Sequence, residues 1–206
     1  MKPLLRTLFV SITLILIGGV ALSAVTDRFH AFTSEAVRRI AVRQHPVDVP
    51  VVALDTQSGA RINISDLRGK WLLVDFIYTR CQTYCAALGN EFAQLQGKLA
   101  GPLAQGKVQL ISISFDPAHD APRELTSYLQ RSRSRGAGWL AVRPVDPAGL
   151  AQLKRSFGIT VIPDGLGGYT HNAAIHVVDP QGKLVEIVDL EQSDLAMRTI
   201  LEGIER

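Results

Sequence analysis

The chain has 206 residues, with 22 basic and 19 acidic side chains and a formal net charge of +3. Lys2 and Arg6 precede the first acidic residue, Asp27, so the remaining chain carries 20 basic and 19 acidic side chains. This nearly neutral remainder lacks the net positive charge that is typical of nucleic-acid-binding domains, and we expect no nucleic acid partner. The hydrophobic content of 47% excludes a disordered chain, and the total of two cysteines excludes a four-cysteine metal site.

The first predicted element is an apolar segment, Thr7–Val25, that contains no charged residue. An α-helix of about twenty apolar residues can cross a bilayer, so we interpret the segment as a membrane anchor. The basic residues before it should stay in the cytoplasm, which places the rest of the chain outside. A cleaved signal peptide, with Ala21-Leu22-Ser23 as its cleavage site, is the alternative. We favour the anchor because the segment is longer than the usual signal core.

The chain is therefore predicted to have three parts. We expect a membrane anchor or signal peptide over residues 1–26, with residues 7–26 in the membrane, a stalk over 27–48 and one globular domain over 49–206. The N-terminal region is too short, and too poor in Arg and Ser, for a mitochondrial transit peptide. The expected location is the inner (cytoplasmic) membrane of a bacterium, as a single-pass protein whose C-terminal domain faces the periplasm, an oxidising compartment.

Apolar runs predict the strands of the globular domain. Within the stalk, Ser34 is the predicted N-cap of a short helix, and Pro46 and Pro50 end the segment. A hairpin around Thr56–Gly59 begins the domain, two buried strands and a third strand follow, and a second hairpin turns at Asp179–Gly182. The predicted strands lie at 49–54, 61–64, 71–78, 108–115, 139–145, 174–178 and 184–188.

Helices are predicted between these strands and at the C-terminus. The first carries an apolar stripe at three- and four-residue spacing, formed by Leu88, Phe92, Leu95 and Leu99. The predicted starts of the other helices are Asp120 with Pro122, Asp146 with Pro147, and Ser193. This alternation of strands and helices, which closes with a hairpin and a helix, predicts an α/β domain with a central mixed sheet flanked by helices, in the order of a thioredoxin-like fold.

The two cysteines, Cys81 and Cys85, lie where the strand 71–78 passes into the first helix of the domain. Extending the helical stripe backwards places both of them at or near one helix face. A helix N-terminus carries partial positive charge and unpaired N–H groups, so we expect it to lower the pKa of these thiols. Their spacing also permits a redox-active disulfide.

The spacing excludes several known uses of paired cysteines. Thioredoxin-type oxidoreductases have two residues between the cysteines, whereas three lie here. Haem attachment needs a histidine after the second cysteine, and that position is Ala86. The peroxiredoxin pattern needs Thr or Ser three positions before the nucleophilic cysteine, where this chain has Tyr78 or Gln82. A purely structural disulfide is the remaining alternative, and the strand-to-helix junction favours a functional pair instead.

Two thiolates are soft ligands that select Cu(I), Zn(II) or related ions, and a mononuclear copper site would need a third ligand such as imidazole. Five histidines compete for this role. His171 ranks first because a polar loop before a predicted strand can present its side chain freely, and His119, in another loop, ranks narrowly second. The other three lie in the stalk region or inside a predicted strand: His30, His45 and His176. The residue pattern alone leaves the choice open.

Three segments of the chain resemble the Sco/SenC family: FIYTRCQTYC (76–85), SISFDPAHDAP (112–122) and YTHNAAIHVVDPQGKL (169–184). The resemblance covers about residues 33–190. In that family, a membrane-anchored thioredoxin-like domain binds copper through two cysteines and one histidine and delivers it to cytochrome c oxidase. The resemblance implies that Cys81, Cys85 and His171 are the copper ligands of this chain.

The chain also departs from the family pattern. The family commonly has proline directly after each cysteine, where this chain has Gln82 and Ala86. Without proline the backbone is less restricted and gains an N–H donor near the sulfurs, which bears on redox potential and copper affinity. Asp116 matches the family's aspartate after the central strand, and its predicted role is either at the site or as a cap of its own loop.

The resemblance implies a metallochaperone rather than an enzyme. It would receive a copper ion, Cu(I) or Cu(II), from an upstream donor and deliver it to the dinuclear centre in the copper-bearing subunit of cytochrome c oxidase. A thiol reductant would keep the cysteine pair reduced. The alternative is a thiol–disulfide reductase for the oxidase's copper-site cysteines, which needs Cys81 and Cys85 but not His171. A copper- or redox-responsive signalling protein is a third hypothesis.

Overall fold

The computed structural model describes residues 3–25, 33–81, 84–136 and 138–206. The chain divides into two compact units, Met1–Ala41 and Val42–Arg206. The first unit contains helix α1 (Pro3–Val25), which exposes its large apolar side chains. By length and composition its segment Leu5–Ala24 could cross a membrane, and a signal sequence would look the same. The predicted apolar helix is confirmed, and the choice between anchor and signal peptide stays a prediction.

A second helix, α2 (Ser34–Gln44), begins at the predicted residue. Its cap is Thr33 rather than Ser34, since the Thr33 Oγ1 accepts a hydrogen bond from the Ala36 N–H at 3.1 Å. A capping residue must stand outside the helix, and Ser34 already has helical backbone geometry. Residues 27–32 of the predicted stalk lie outside the described residues.

The second unit is built on a mixed sheet with the order β1-β10-β9-β4-β5-β6-β2-β3, while β7 and β8 form a separate two-stranded sheet. The central strands β4, β5 and β6 run parallel, and the flanking strands pair antiparallel. The strands are β1 (Val47–Asp48), β2 (Ala53–Thr56), β3 (Arg61–Asn63), β4 (Trp71–Ile77), β5 (Val108–Ser114), β6 (Trp139–Pro144), β7 (Val161–Pro163), β8 (Tyr169–His171), β9 (Ile175–Val178) and β10 (Lys183–Val188).

Helices follow the parallel strands, as the sequence predicts. They are α3 (Tyr84–Lys98), α4 (Ala100–Ala104), α5 (Pro122–Arg131), α6 (Pro147–Phe157) and α7 (Ser193–Glu205). The predicted boundaries of α6 are confirmed. The Asp146 Oδ1 accepts a hydrogen bond from the Gly149 N–H at 2.8 Å, and Gly158 ends the helix with a φ of +64° that glycine adopts without strain.

The register of the central strands positions the loops that carry the candidate site residues. β5 is buried along its whole length, as expected for a parallel strand that is covered on both faces. Ile77 at the end of β4 is paired with Ser114 at the end of β5, and the Phe115 N–H donates to the Ile77 carbonyl at 2.9 Å. The loops that contain Cys81 and Asp116 therefore begin side by side at the C-terminal ends of these two central strands.

Candidate metal centre

The two cysteines stand on either side of the start of α3. Cys85 is buried in the first turn, and it begins the predicted apolar stripe, whose other members are also fully buried: Leu88, Phe92, Leu95 and Leu99. Cys81 is partly exposed and lies before the helix, where its N–H donates to the Tyr78 carbonyl at 3.2 Å. Both cysteines carry thiols rather than a disulfide. The apolar stripe therefore correctly predicts that Cys85 lies on the buried face of α3, whereas Cys81 lies in the turn before the helix.

The helix start acts differently on the two sulfurs. The Cys85 N–H, a donor of the first helical turn, points to the Cys81 Sγ at 3.3 Å. Burial, however, raises the pKa of the Cys85 thiol, and the nearby Asp75 adds to this effect. The prediction that the helix N-terminus lowers the thiol pKa is therefore wrong for Cys85, because removing a thiolate from water outweighs the helix dipole.

A buried carboxylate fixes the turn before Cys81. Asp120 accepts hydrogen bonds from the Thr79 N–H at 3.1 Å and from the Thr79 hydroxyl at 2.6 Å, and the Ser114 hydroxyl donates to it as well. We expected Asp120 to begin α5, but Ala121 occupies the N-cap position. The carboxylate is directed into the protein, where it joins the loop after β4 to the end of β5.

His171 lies in β8, in register with Val161 of β7, and not in the open loop that the sequence predicts. Its side chain is half-buried, and neither ring nitrogen has a hydrogen-bond partner among the described residues. Burial lowers the pKa of His171, which favours the neutral imidazole. A neutral imidazole with unused nitrogens is the form of histidine that binds metals.

Aromatic rings connect the cysteine loop to the hairpin that carries His171. The Tyr78 hydroxyl donates to the Tyr169 carbonyl at 3.5 Å and accepts from the Tyr169 N–H at 3.3 Å. The Phe115 ring lies 5.4 Å from the Tyr78 ring and 5.0 Å from the His171 ring, measured between centroids. Burial raises the pKa of Tyr78, and the adjacent Cys81 adds to it. Sequence reasoning missed Tyr78 as a site residue, since it reads as the last residue of an apolar run.

The second imidazole candidate, His119, has a different environment. Its Nδ1 lies 2.8 Å from the Asp116 Oδ1, and the Arg80 guanidinium donates to the Asp116 Oδ2 at 2.8 Å. These two partners lower the pKa of Asp116 despite its burial. Asp116 thus binds Arg80, the residue before Cys81, which agrees with the prediction that Asp116 lies near the site.

The remaining predicted features fall outside this cluster. His45 is exposed, and His176 is buried in β9 with its Nδ1 3.2 Å from the Val74 carbonyl, in line with the structural role predicted for it. His30 and Gln82 lie outside the described residues, and Ala86 is an exposed helical residue. Across the described ranges, no three His, Cys, Asp or Glu side chains are close enough together to hold a metal ion.

The donor set nevertheless has the chemistry of a soft-metal site. The donors are two thiols at a strand-to-helix turn and the imidazole of β8, which has no hydrogen-bond partner among the described residues, and the Tyr78 and Phe115 rings connect the two segments. Sulfur and neutral nitrogen donors suit copper better than they suit magnesium or calcium. The residues present therefore fit a copper ion.

Comparison with known proteins relates this architecture to copper-binding proteins. A protein of Stutzerimonas stutzeri whose name describes it as copper-binding is 26% identical over 186 residues, which is 88% of this chain and 87% of that protein. The structure of Bradyrhizobium japonicum ScoI with copper bound is 26% identical, with a TM-score of 0.62 over 76% of this chain and 99% of that chain. BsSco, a member of the Sco family of cytochrome c oxidase assembly proteins, shares the fold with a TM-score of 0.66 at 22% identity over 77% and 94% of the two chains.

These neighbours confirm the predicted thioredoxin-like α/β fold, in which helices flank a central mixed sheet. The sequence model of the SCO1/SenC family matches residues 50–205. That range contains Cys81, Cys85 and His171 and makes up most of the 206 residues. The chain therefore belongs to the SCO1/SenC family.

Proposed function

We propose that this protein is a copper metallochaperone that binds one copper ion through Cys81, Cys85 and His171. The observation that carries the proposal is the half-buried His171 imidazole, whose two nitrogens have no hydrogen-bond partner among the described residues. Such a group costs stability unless it acquires a ligand. A metal ion bound between the imidazole and the thiols on the adjoining loop would satisfy it.

Copper binding on this proposal requires movement. Across the described residues the three ligands do not form a group that could hold a metal ion, so the β7–β8 hairpin and the cysteine loop must approach. The hairpin is a separate sheet and contacts the cysteine loop through the rings and hydrogen bonds of Tyr78 and Tyr169. A shift of the hairpin therefore leaves the hydrogen bonds of the large sheet intact.

The proposed acceptor is the dinuclear copper centre in the copper-bearing subunit of cytochrome c oxidase, and the similarity to BsSco, a member of the Sco family of cytochrome c oxidase assembly proteins, supports it. An upstream protein would supply the copper, and a thiol reductant would return the cysteine pair to the dithiol form. The alternative, a thiol–disulfide reductase for the oxidase cysteines, is supported by the unequal exposure of the pair. The accessible Cys81 could attack a partner disulfide, and the buried Cys85 could then resolve the mixed disulfide.

Replacing His171 by alanine separates the two functions. We expect His171→Ala to weaken copper binding about a hundredfold, because one of three ligands is lost, while the cysteine pair still cycles between dithiol and disulfide. Copper titration against a competing chelator and thiol counting on the same variant measure the two properties. His119→Ala is the matched control and should retain the parent affinity. Unchanged affinity in His171→Ala, with a loss in His119→Ala, would transfer the ligand role to His119.

The proposed location is the periplasmic face of a bacterial inner membrane, with residues 1–26 as an anchor, residues 27–48 as a stalk and residues 49–206 as the copper-binding domain. The exposed apolar surface of α1 supports a membrane-inserted helix. We expect the full-length chain to remain in the membrane fraction after alkaline carbonate extraction. N-terminal sequencing is the second measurement, and a mature chain that begins near Ala24 would show instead that the segment is a cleaved signal peptide.

A further inference from the structure

A groove begins at the two cysteines and runs between α3 and the end of α5. It has a volume of about 540 Å³, and its walls include Thr79, Arg80, Asn90 and Arg131. A second groove of about 790 Å³ continues from Asn90 along α3 to Lys98. The two grooves are adjacent, since Asn90 lines both, and we call the pair the arginine groove.

The described residues that line the arginine groove include five basic side chains and no carboxylate: Arg80, Lys98, Arg131, Arg133 and Arg135. Arg80 and Lys98 are neutralised by ion pairs with residues outside the lining, Asp116 and Asp194. No ion pair among the described residues includes the other three arginines. Uncompensated positive charge therefore lines the groove from Arg131, beside the cysteines, to Arg133 and Arg135 in its second part, although the chain from Asp27 onward is nearly neutral.

The fold holds these arginines in place at the groove wall. The side chain of the buried Gln96 accepts a hydrogen bond from the Arg135 N–H at 2.8 Å and donates to the Arg135 carbonyl at 3.1 Å. Arg131 donates to the Thr79 carbonyl at 3.0 Å, beside the cysteine loop. Arg133 has a φ of +59°, where glycine is favoured after a helix C-terminus. This chain has arginine rather than glycine at that position, which supports a role for the charge of Arg133.

We infer that the arginine groove docks an acidic segment of a partner protein and places a side chain of that partner at Cys81. The inference rests on the proposed function, because a partner that exchanges copper or a disulfide must reach the sulfurs. The groove ends at the sulfurs, so its occupant can enter it as an extended chain and bring a cysteine to them. A flat bilayer surface cannot enter a groove of this shape, and a nucleic acid carries no thiol.

The test is the binding of a fluorescein-labelled peptide of alternating Glu and Ser to the full-length chain in uncharged detergent. We expect the double variant Arg133→Gln/Arg135→Gln to weaken binding roughly fivefold to tenfold at low ionic strength, and a peptide of alternating Gln and Ser not to bind. The control is Arg68→Gln/Arg206→Gln, which removes the same charge from exposed arginines at the other end of β4. Arg68 lies before the start of β4. Arg206 is placed at the same end because it follows α7, whose Gly203 packs against Trp71, the first residue of β4.

Several outcomes would overturn the inference. These are unchanged peptide affinity in the groove variant, an equal loss in the control variant, and stronger competition from an oligonucleotide or from soluble short-chain phosphatidylglycerol than from unlabelled peptide. Arg133→Gly serves as a second variant, because glycine suits a φ of +59° and should not lower the melting temperature. A weakened affinity at an unchanged or raised melting temperature then supports docking, whereas an unchanged affinity opposes it.

This experiment is independent of the proposed copper site. Peptide binding is measured by fluorescence anisotropy without copper, so a failure of copper binding does not affect it. Conversely, the groove variants keep Cys81, Cys85 and His171, and their copper affinity should equal that of the parent chain. The rate of copper transfer to an acidic peptide that contains two cysteines should fall with peptide affinity in Arg133→Gln/Arg135→Gln.

Discussion

Oxidation of the cysteine pair is expected to weaken copper binding at least about a thousandfold. A disulfide between Cys81 and Cys85 uses both soft donors and leaves one imidazole, which is a poor site by itself. In the dithiol form, copper must displace the thiol protons, so binding releases protons and weakens as pH falls. The raised pKa of the buried Cys85 thiol increases this proton competition.

The measurement is anaerobic copper titration of the disulfide and dithiol forms of one preparation, with thiol counting before and after. Cys81→Ser is a suitable control, since it cannot form the disulfide and should bind weakly with or without oxidant. Equal copper affinity in the two forms of the parent chain would show that the sulfurs are not the principal ligands. The proposed metallochaperone function would then have to be abandoned.

A second large effect is expected from the pH dependence of stability at Asp75. This carboxyl group is fully buried in β4, and neither oxygen has a hydrogen-bond partner among the described residues. Burial raises its pKa from 3.8 to about 7, and the nearby hydroxyls of Ser112 and Tyr128 offset only part of the effect. Between these two values the folded protein holds a proton that the unfolded chain has lost.

The sign of the effect follows from this proton. Because the native state binds more protons between pH 3.8 and 7, the free energy of unfolding falls as pH rises through that range and then stays low. The full loss is about 4 kcal/mol, of which about 2 to 3 kcal/mol occurs between pH 5 and 8. Asp75→Asn carries no charge at any pH and should lose this dependence, so that it is more stable than the parent at pH 8.

Denaturant unfolding of the reduced protein at pH 5 and pH 8 measures this difference. Glu205→Gln removes a carboxylate from an exposed position near the C-terminus and should retain the pH dependence of the parent. If Asp75→Asn and the parent lose the same stability between the two pH values, the carboxylate is ionised in the folded state at both, and its burial does not control the pH dependence.

The features that the sequence predicts well are local ones. Apolar runs define the central strands, and the stripe that begins at Cys85 is buried as spacing predicts, because both signals depend on neighbours within a few residues. Asp120 was misassigned because its partner Thr79 lies 41 residues away, and a local pattern offers only the helix start. Tyr78 was missed for the same reason, since its contact with Tyr169 spans 91 residues.

His171 shows another limit of pattern reasoning. β8 has three residues, too few for an alternating pattern, and its pairing with β7 depends on an equally short segment. The glycine-rich sequence between the two strands therefore reads as an open loop. The resemblance to the Sco/SenC family selects His171 over His119 through the order and spacing of three motifs, whereas the structure adds the half-buried imidazole that supports the choice.

The separate β7–β8 hairpin has a consequence for how the protein can evolve. Among the described residues this hairpin shares no ladder with the large sheet, so at the proposed copper site substitutions at its contacts with Tyr78 would alter the lifetime of the bound metal without lowering the melting temperature of the domain. Selection could therefore change the rate of metal release and the melting temperature of the domain separately. A relative adapted to a hotter habitat could keep the same release rate with a different core.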